Sequence, residues 1–198
     1  MVQVEPFKLQ ALLFDIDNTF IPTGKFTIEA RGHAFDALID SMKRYGMSVN
    51  RRDITKKFNK IVKELGSNST RHFDTLLERM KTPEERRAKL IAGAVISYHN
   101  SKQSLRPYPE VPNTLITLKK QGYKIYAVSE GDGIKQWEKL IRCGLDMLID
   151  DAFMTGRDSH GVILEKNEPF YGRILASLKL KGEETVLVGD RAKKDSGT

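Results

Sequence analysis

The sequence predicts an α/β protein in which a three-layer parallel sheet is interrupted, after its first strand, by an α-helical insertion. Beyond residue 107, amphipathic helices alternate with short apolar strands, which is typical of a parallel sheet covered by helices. Between the first apolar run and that point, apolar residues recur at helical spacing. We therefore predict a sheet domain from residues 1–22 and 106–198 and a helical domain from residues 23–105.

The first strand is predicted at Leu9–Asp15, a short apolar run that stops abruptly at acidic residues. Four helices are then expected, and the segment Phe58–Leu65 shows the i, i+3, i+4, i+7 spacing most clearly. For the fourth helix, Thr82, Pro83 and Glu85 predict a capping box with proline at the first helical position. The insertion is therefore predicted to be a four-helix unit.

The remaining elements are predicted from alternating apolar patterns, with glycines such as Gly122 and Gly144 after the helices. Parallel sheets of this kind bind their ligands at the carboxyl ends of the strands. The predicted helices are Val111–Gln121, Ile134–Arg142 and Pro169–Lys179, and the predicted strands are Lys124–Ser129, Phe153–Thr155 and Thr185–Gly189.

Composition excludes several classes of protein. The longest apolar run, Leu90–Ile96, is far too short to cross a bilayer, and Met1–Gln10 lacks the pattern of a secretory leader. We therefore expect a cytoplasmic protein with no membrane partner. The net charge of +7 comes from lysines and arginines interleaved with acidic residues, so we do not expect a nucleic-acid partner. Because Cys143 is the single cysteine, no intrachain disulfide can form.

Polar side chains follow three of the predicted strands and precede the last helix. Two carboxylates two residues apart on one turn repel each other unless a cation offsets their charge, and Mg²⁺ with a substrate phosphate does so. A carboxylate can also attack phosphorus, which divides the displacement into two easier steps. The residues are Asp15, Asp17 and Thr19 after the first strand, Ser129 after the second, Lys166 before the last helix, and Asp190 and Asp195 after the last strand.

These residues resemble, in the same order, the four motifs of the haloacid dehalogenase superfamily. Asp15-Ile16-Asp17-Asn18-Thr19 resembles the DxDxT motif, Ser129 the second motif, Lys166 the third, and Gly189-Asp190 with Asp195 the acidic fourth. The stretch Lys135–Leu140 is in addition similar to archaeal members of the branch with a helical, C1-type cap. The resemblance implies a Rossmann-like core and a cap inserted after the first motif.

The resemblance further implies a Mg²⁺-dependent phosphatase that acts on a small phosphorylated metabolite. Asp15 is then the nucleophile, and Asp17 is the general acid that protonates the leaving alcohol and afterwards the base that activates water. Ser129 and Lys166 hold the phosphoryl oxygens, and Thr19 is the third expected residue of the substrate site, where it supports the loop. The expected Mg²⁺ ligands are Asp15, the backbone carbonyl of Asp17, Asp190 and Asp195.

Two features depart from the family pattern. Glu130 follows Ser129, and a carboxylate beside bound phosphate is repulsive unless it points away or meets a cation. The chain ends at Thr198, soon after the fourth motif, where the fold ordinarily continues, so we expect that roughly 20 to 40 residues are absent.

Other functions stay open at this point. The first is a 2-haloacid dehalogenase, a metal-free displacement at carbon for which Asp17 has no use, because a halide leaving group needs no proton. The second is a phosphomutase, which is compatible with the same chemical reasoning as the phosphatase, although no feature of the sequence favours it. The last is a binding module that keeps the fold without catalysis.

Overall fold

A four-stranded parallel sheet lies within the part of the chain that the computed structural model describes, residues 8–67, 69–159, 161 and 163–190. The strand order is β3-β2-β1-β4, so the first strand lies inside the sheet. The predicted α/β fold is confirmed. The strands are β1 (Ala11–Asp15), β2 (Lys124–Ser129), β3 (Asp151–Met154) and β4 (Thr185–Val188).

Helices make up most of the remaining structure. No helix in the described ranges is long and apolar enough to cross a membrane. In chain order the helices are α1 (Thr23–Arg44), α2 (Arg51–Leu65), α3 (His72–Arg79), α4 (Glu84–Ser101), α5 (Val111–Lys120), α6 (Gly133–Arg142) and α7 (Glu168–Leu178).

The chain divides into two compact units. The first consists of Met1–Gly24 and Leu105–Thr198 and contains the sheet, and the second consists of Lys25–Ser104. Every residue of β1 is buried, and because successive side chains point to opposite faces, both faces of this strand are covered. On one face, Phe170 and Ile174 of α7 pack against Leu13 of β1 and Val128 of β2. Each such buried side chain contributes about 1.5–3 kcal/mol to folding.

The second unit has a core of its own, built from helices. Phe35 of α1 and Phe58 of α2 meet edge to face with ring centroids 5.0 Å apart. The His72 ring lies 5.6 Å from Phe58, and its Nε2 is 2.8 Å from the carbonyl oxygen of Gly66. His72 is the first residue of α3 and is buried.

The predicted capping box at Thr82 is wrong. Helix α3 ends in a Schellman turn, in which Lys81 has φ +54° and the Thr82 N–H donates to the carbonyl of Leu77 at 3.0 Å. Thr82 therefore belongs to the end of α3, and its buried hydroxyl makes no hydrogen bond within the described part of the chain. Helix α4 begins at Glu84 after Pro83, which makes no side-chain cap hydrogen bond.

Candidate active site

The register of the sheet brings three of the predicted site residues, Asp15, Ser129 and Asp190, to one edge. Asp15 pairs with Val128 of β2, and the preceding Phe14 pairs with Val188 of β4. Ser129 ends β2, and Asp190 lies two residues beyond the end of β4. Because all strands are parallel, these residues lie at the carboxyl end of neighbouring strands, where sheets of this class bind ligands.

Asp15 and Lys166 form a buried ion pair at this edge. Lys166 Nζ lies 3.0 Å from Asp15 Oδ2, and the two side chains are 1% and 2% exposed. Asp15 Oδ1 accepts the Ile16 N–H at 2.9 Å. A charge this deeply buried is stable only beside a partner of opposite charge, so the pair stabilises both charges.

The loop after β1 is closed by its own backbone. The Ile16 carbonyl accepts hydrogen bonds from the N–H groups of Phe20 and Ile21 at 3.0 and 3.2 Å. Asn18 has φ +59°, a left-handed conformation that asparagine tolerates better than most residues. Asn18 Nδ2 donates to Asp190 Oδ2 at 3.3 Å. Asn18 thereby links the loop after β1 to the end of β4.

The second acidic residue of the loop, Asp17, has a partner on α6. Lys139 Nζ lies 2.5 Å from Asp17 Oδ1, and the pair is half-buried. No role was predicted for Lys139 itself, although it lies within the stretch Lys135–Leu140 that resembles the archaeal branch. The two residues are 122 positions apart, and the sequence does not indicate which residue of α6 meets the loop.

Ser129 and Glu130 connect β2 to the segment that carries Lys166. Ser129 is buried, and its hydroxyl donates to the Glu130 carbonyl at 3.3 Å. Glu130 Oε1 accepts the backbone N–H of Lys166 at 3.2 Å. This hydrogen bond gives the Glu130 carboxylate a structural partner and fixes the main chain at Lys166. The site therefore accommodates Glu130, the residue that departs from the family pattern, by a hydrogen bond to the main chain.

The other residues predicted for the site are Thr19, Asp190 and Asp195. Thr19 Oγ1 is buried and makes no hydrogen bond within the described part of the chain, while Asn18 Oδ1 accepts the Gly24 N–H at 2.9 Å. Asp190 is exposed and accepts from Asn18. Asp195 lies outside the described residues.

The donor types at this edge fit Mg²⁺. In the described ranges, no three histidine, cysteine, aspartate or glutamate side chains cluster as metal ligands. Mg²⁺ does not require such a cluster, because it usually keeps several waters and is bound by one or two carboxylates together with substrate phosphate. Asp15 ends β1 and Asp190 follows the neighbouring strand β4, and the loop adds backbone carbonyl oxygens.

Cys143, at the end of α6, offers no second nucleophile. Burial raises the pKa of its thiol to about 11, although the charges of Arg106 and Lys139 oppose this shift. The thiolate is therefore a negligible fraction at neutral pH.

Comparison with known proteins agrees with the resemblance found in the sequence. Residues 9–197 match the family of haloacid dehalogenase-like hydrolases. The glyceraldehyde 3-phosphate phosphatase of Methanopyrus kandleri is 39% identical over 189 residues, which cover 94% of this chain and 78% of the relative. The enzyme of the same name from Methanocaldococcus jannaschii is 37% identical over 188 residues, with the same coverage of both chains.

A solved structure, that of a haloacid dehalogenase-like family hydrolase from Xanthomonas campestris, shares the fold. It superimposes with a TM-score of 0.66 at 19% identity and covers 98% of this chain and 78% of that chain. The resemblance predicted from the motifs is thus confirmed by both sequence and fold. The chain belongs to the haloacid dehalogenase-like hydrolase family.

Proposed function

We propose that the protein is a Mg²⁺-dependent phosphomonoester hydrolase that acts through an aspartyl phosphate on Asp15. The observation that carries the proposal is the buried ion pair between Asp15 and Lys166 at the carboxyl edge of the sheet. The pair puts a nucleophilic carboxylate and a cation that can bind phosphate in contact. A carboxylate attacks phosphorus readily once negative charge is neutralised nearby.

Each side chain has a defined part in this mechanism. Asp15 attacks phosphorus, while Lys166 and the Ser129 hydroxyl bind the equatorial phosphoryl oxygens as their charge develops. Asp17 donates a proton to the leaving alcohol and then accepts one from the water that hydrolyses the acyl phosphate. Mg²⁺, when bound, supplies charge screening, and Asp15, the Asp17 carbonyl and Asp190 would hold it, with Asp195 as a further candidate.

A small phosphorylated metabolite is the proposed substrate. The relatives in Methanopyrus and Methanocaldococcus carry the name glyceraldehyde 3-phosphate phosphatase, which makes this triose phosphate the first compound to test. A 2-haloacid dehalogenase remains the alternative in another reaction class. It is tested by chloride release from 2-chloropropionate, and a protein inert in both assays would favour a binding module.

Removal of the metal tests the proposed function. With p-nitrophenyl phosphate, we expect phosphate release in the presence of Mg²⁺, complete loss on addition of EDTA, and recovery when Mg²⁺ is added back. Ca²⁺ serves as a control, because its longer bonds and flexible coordination should not support the reaction. Hydrolysis that continues unchanged in EDTA would contradict a metal-dependent mechanism.

Glu130 provides a further prediction. Glu130→Ala removes the acceptor for the Lys166 N–H and should lower kcat/KM for a phosphate ester about 10- to 100-fold, the equivalent of about 1.5–3 kcal/mol for a hydrogen bond to a charged group. Glu130→Gln keeps an acceptor oxygen and should lose less than the alanine variant.

Steady-state kinetics and thermal unfolding of the two Glu130 variants test whether the hydrogen bond to the Lys166 N–H supports activity. An alanine variant with the activity of the wild type, or a glutamine variant as impaired as the alanine variant, would mean that this hydrogen bond does not support the site.

A further inference from the structure

We propose that Lys139 is a positioning residue that holds Asp17 in the orientation needed for acid and base catalysis. The proposal rests on the proposed function, since it assigns a partner to the general acid. Lys139 Nζ donates to Asp17 Oδ1 at 2.5 Å, a contact between α6 and the loop after β1. The pair fixes one carboxylate oxygen and leaves Oδ2 for the proton transfers that the proposed function assigns to Asp17.

Helix α6 is anchored at its beginning and along its inner face. Asp132 caps the helix by accepting the N–H groups of Ile134 and Lys135 at 3.1 and 3.4 Å. Gln136 is buried, and its Nε2 donates to the Glu130 carbonyl at 2.8 Å. Leu140, next to Lys139, is fully buried. The backbone from which Lys139 extends is therefore held in place.

Asp17 needs such a partner more than Asp15 does. Its side chain is 31% exposed, whereas that of Asp15 is 2% exposed and held by Lys166. A partly exposed aspartate on a loop can occupy several rotamers, and only some of them reach a leaving oxygen. Lys139, at 26% exposure, is screened less than a surface lysine would be, so its ion pair can select one rotamer.

The leaving group distinguishes this role from a structural one. An alkyl phosphate releases a strongly basic alkoxide and depends on proton donation by Asp17, whereas p-nitrophenolate leaves without a proton. A misplaced acid should therefore slow the cleavage of alkyl phosphates much more than that of aryl phosphates. General damage to the site would slow both to the same extent.

The experiment compares kcat/KM for glycerol 2-phosphate and p-nitrophenyl phosphate. Lys139→Met should lose about 10- to 100-fold on the alkyl ester and less than about 3-fold on the aryl ester, because general acid catalysis contributes about 10²–10⁴-fold. Lys139→Arg, which keeps the charge, should restore most of the loss. Lys135→Met, on an exposed position one turn earlier in α6, is the matched control and should resemble the wild type.

A double variant completes the test. If Lys139 acts through Asp17, Asp17→Asn with Lys139→Met should be no slower on the alkyl ester than Asp17→Asn alone. Equal losses on both esters, or additive losses in the double variant, would overturn the positioning role and leave the proposed function intact. A wild-type protein that hydrolyses neither ester would overturn the proposed function, and this proposal with it.

Discussion

Replacement of Asp15 by asparagine is expected to reduce hydrolysis of p-nitrophenyl phosphate by at least about four orders of magnitude. The amide cannot attack phosphorus to form an acyl phosphate, and Lys166 would then lie beside a neutral group instead of the nucleophile. The measurement is kcat in Mg²⁺, with residual activity followed over hours to detect slow turnover.

Asp151→Asn is the matched control for this variant. Asp151 begins β3 and, like Asp15, has an Oδ1 that accepts the N–H of the next residue, at 2.7 Å compared with 2.9 Å. Asp151 is exposed and lies at the opposite end of its strand, so its replacement should leave activity within about 2-fold of the wild type. Substantial activity in Asp15→Asn would contradict the assignment of the nucleophile.

Replacement of Lys166 by methionine has the largest expected effect on stability. In EDTA this variant leaves the Asp15 carboxylate buried without its ammonium partner, and breaking a buried pair in this way costs about 3–5 kcal/mol of unfolding free energy. For a chain of this size the loss corresponds to a decrease of about 6–20 °C in Tm. Phosphatase activity should decrease by about 10²–10³-fold as well, as for other groups that stabilise transition-state charge.

Two comparisons identify the cause of the destabilisation. Asp15→Asn combined with Lys166→Met removes both charges and should recover a large part of the lost stability. Lys124→Met breaks the ion pair between Lys124 and Asp150. The Lys124 side chain is 63% exposed, so this variant should lose less than about 1 kcal/mol of unfolding free energy. If the Lys166 and Lys124 variants unfold at the same temperature, the buried pair contributes no more to stability than the exposed pair, which would contradict this prediction.

Much of the fold could be predicted because burial restricts the sequence strongly. Strand β1 is covered on both faces, so it must read as an uninterrupted apolar run, and the first polar residue, Asp15, marks its carboxyl end. The rule that parallel strands bind ligands at their carboxyl ends then brings Ser129 and Asp190 to the same edge. These expectations depend on periodicity and topology, which a sequence displays directly.

The pairing of Lys139 with Asp17 could not be predicted from the same information. Which polar side chain of α6 reaches the loop depends on how the helix is rotated about its axis. That rotation is set by the packing of Leu140 and by the hydrogen bond from Gln136 to Glu130. Sequence periodicity identifies the polar side of a helix, but it does not identify which residue on that side meets a particular loop.

Backbone partners explain the other differences. Glu130 was interpreted from its charge, yet its carboxylate accepts the N–H of Lys166, and main-chain donors have no sequence signature. Thr82 matched the pattern of a capping box, but the Schellman turn that ends α3 uses its N–H first. In both cases the local residue type was compatible with two hydrogen-bonding patterns, and the backbone decided between them.

The most direct test of the account is to trap the phosphorylated protein. Asp17→Asn should still form the aspartyl phosphate from p-nitrophenyl phosphate, because this leaving group needs no acid, but it should hydrolyse the intermediate slowly. After an acid quench, mass spectrometry of peptides should find the phosphoryl group on Asp15, with loss of the label in hydroxylamine. Turnover with no phosphoryl group on the protein, or with the group on another residue, would contradict Asp15 as the nucleophile.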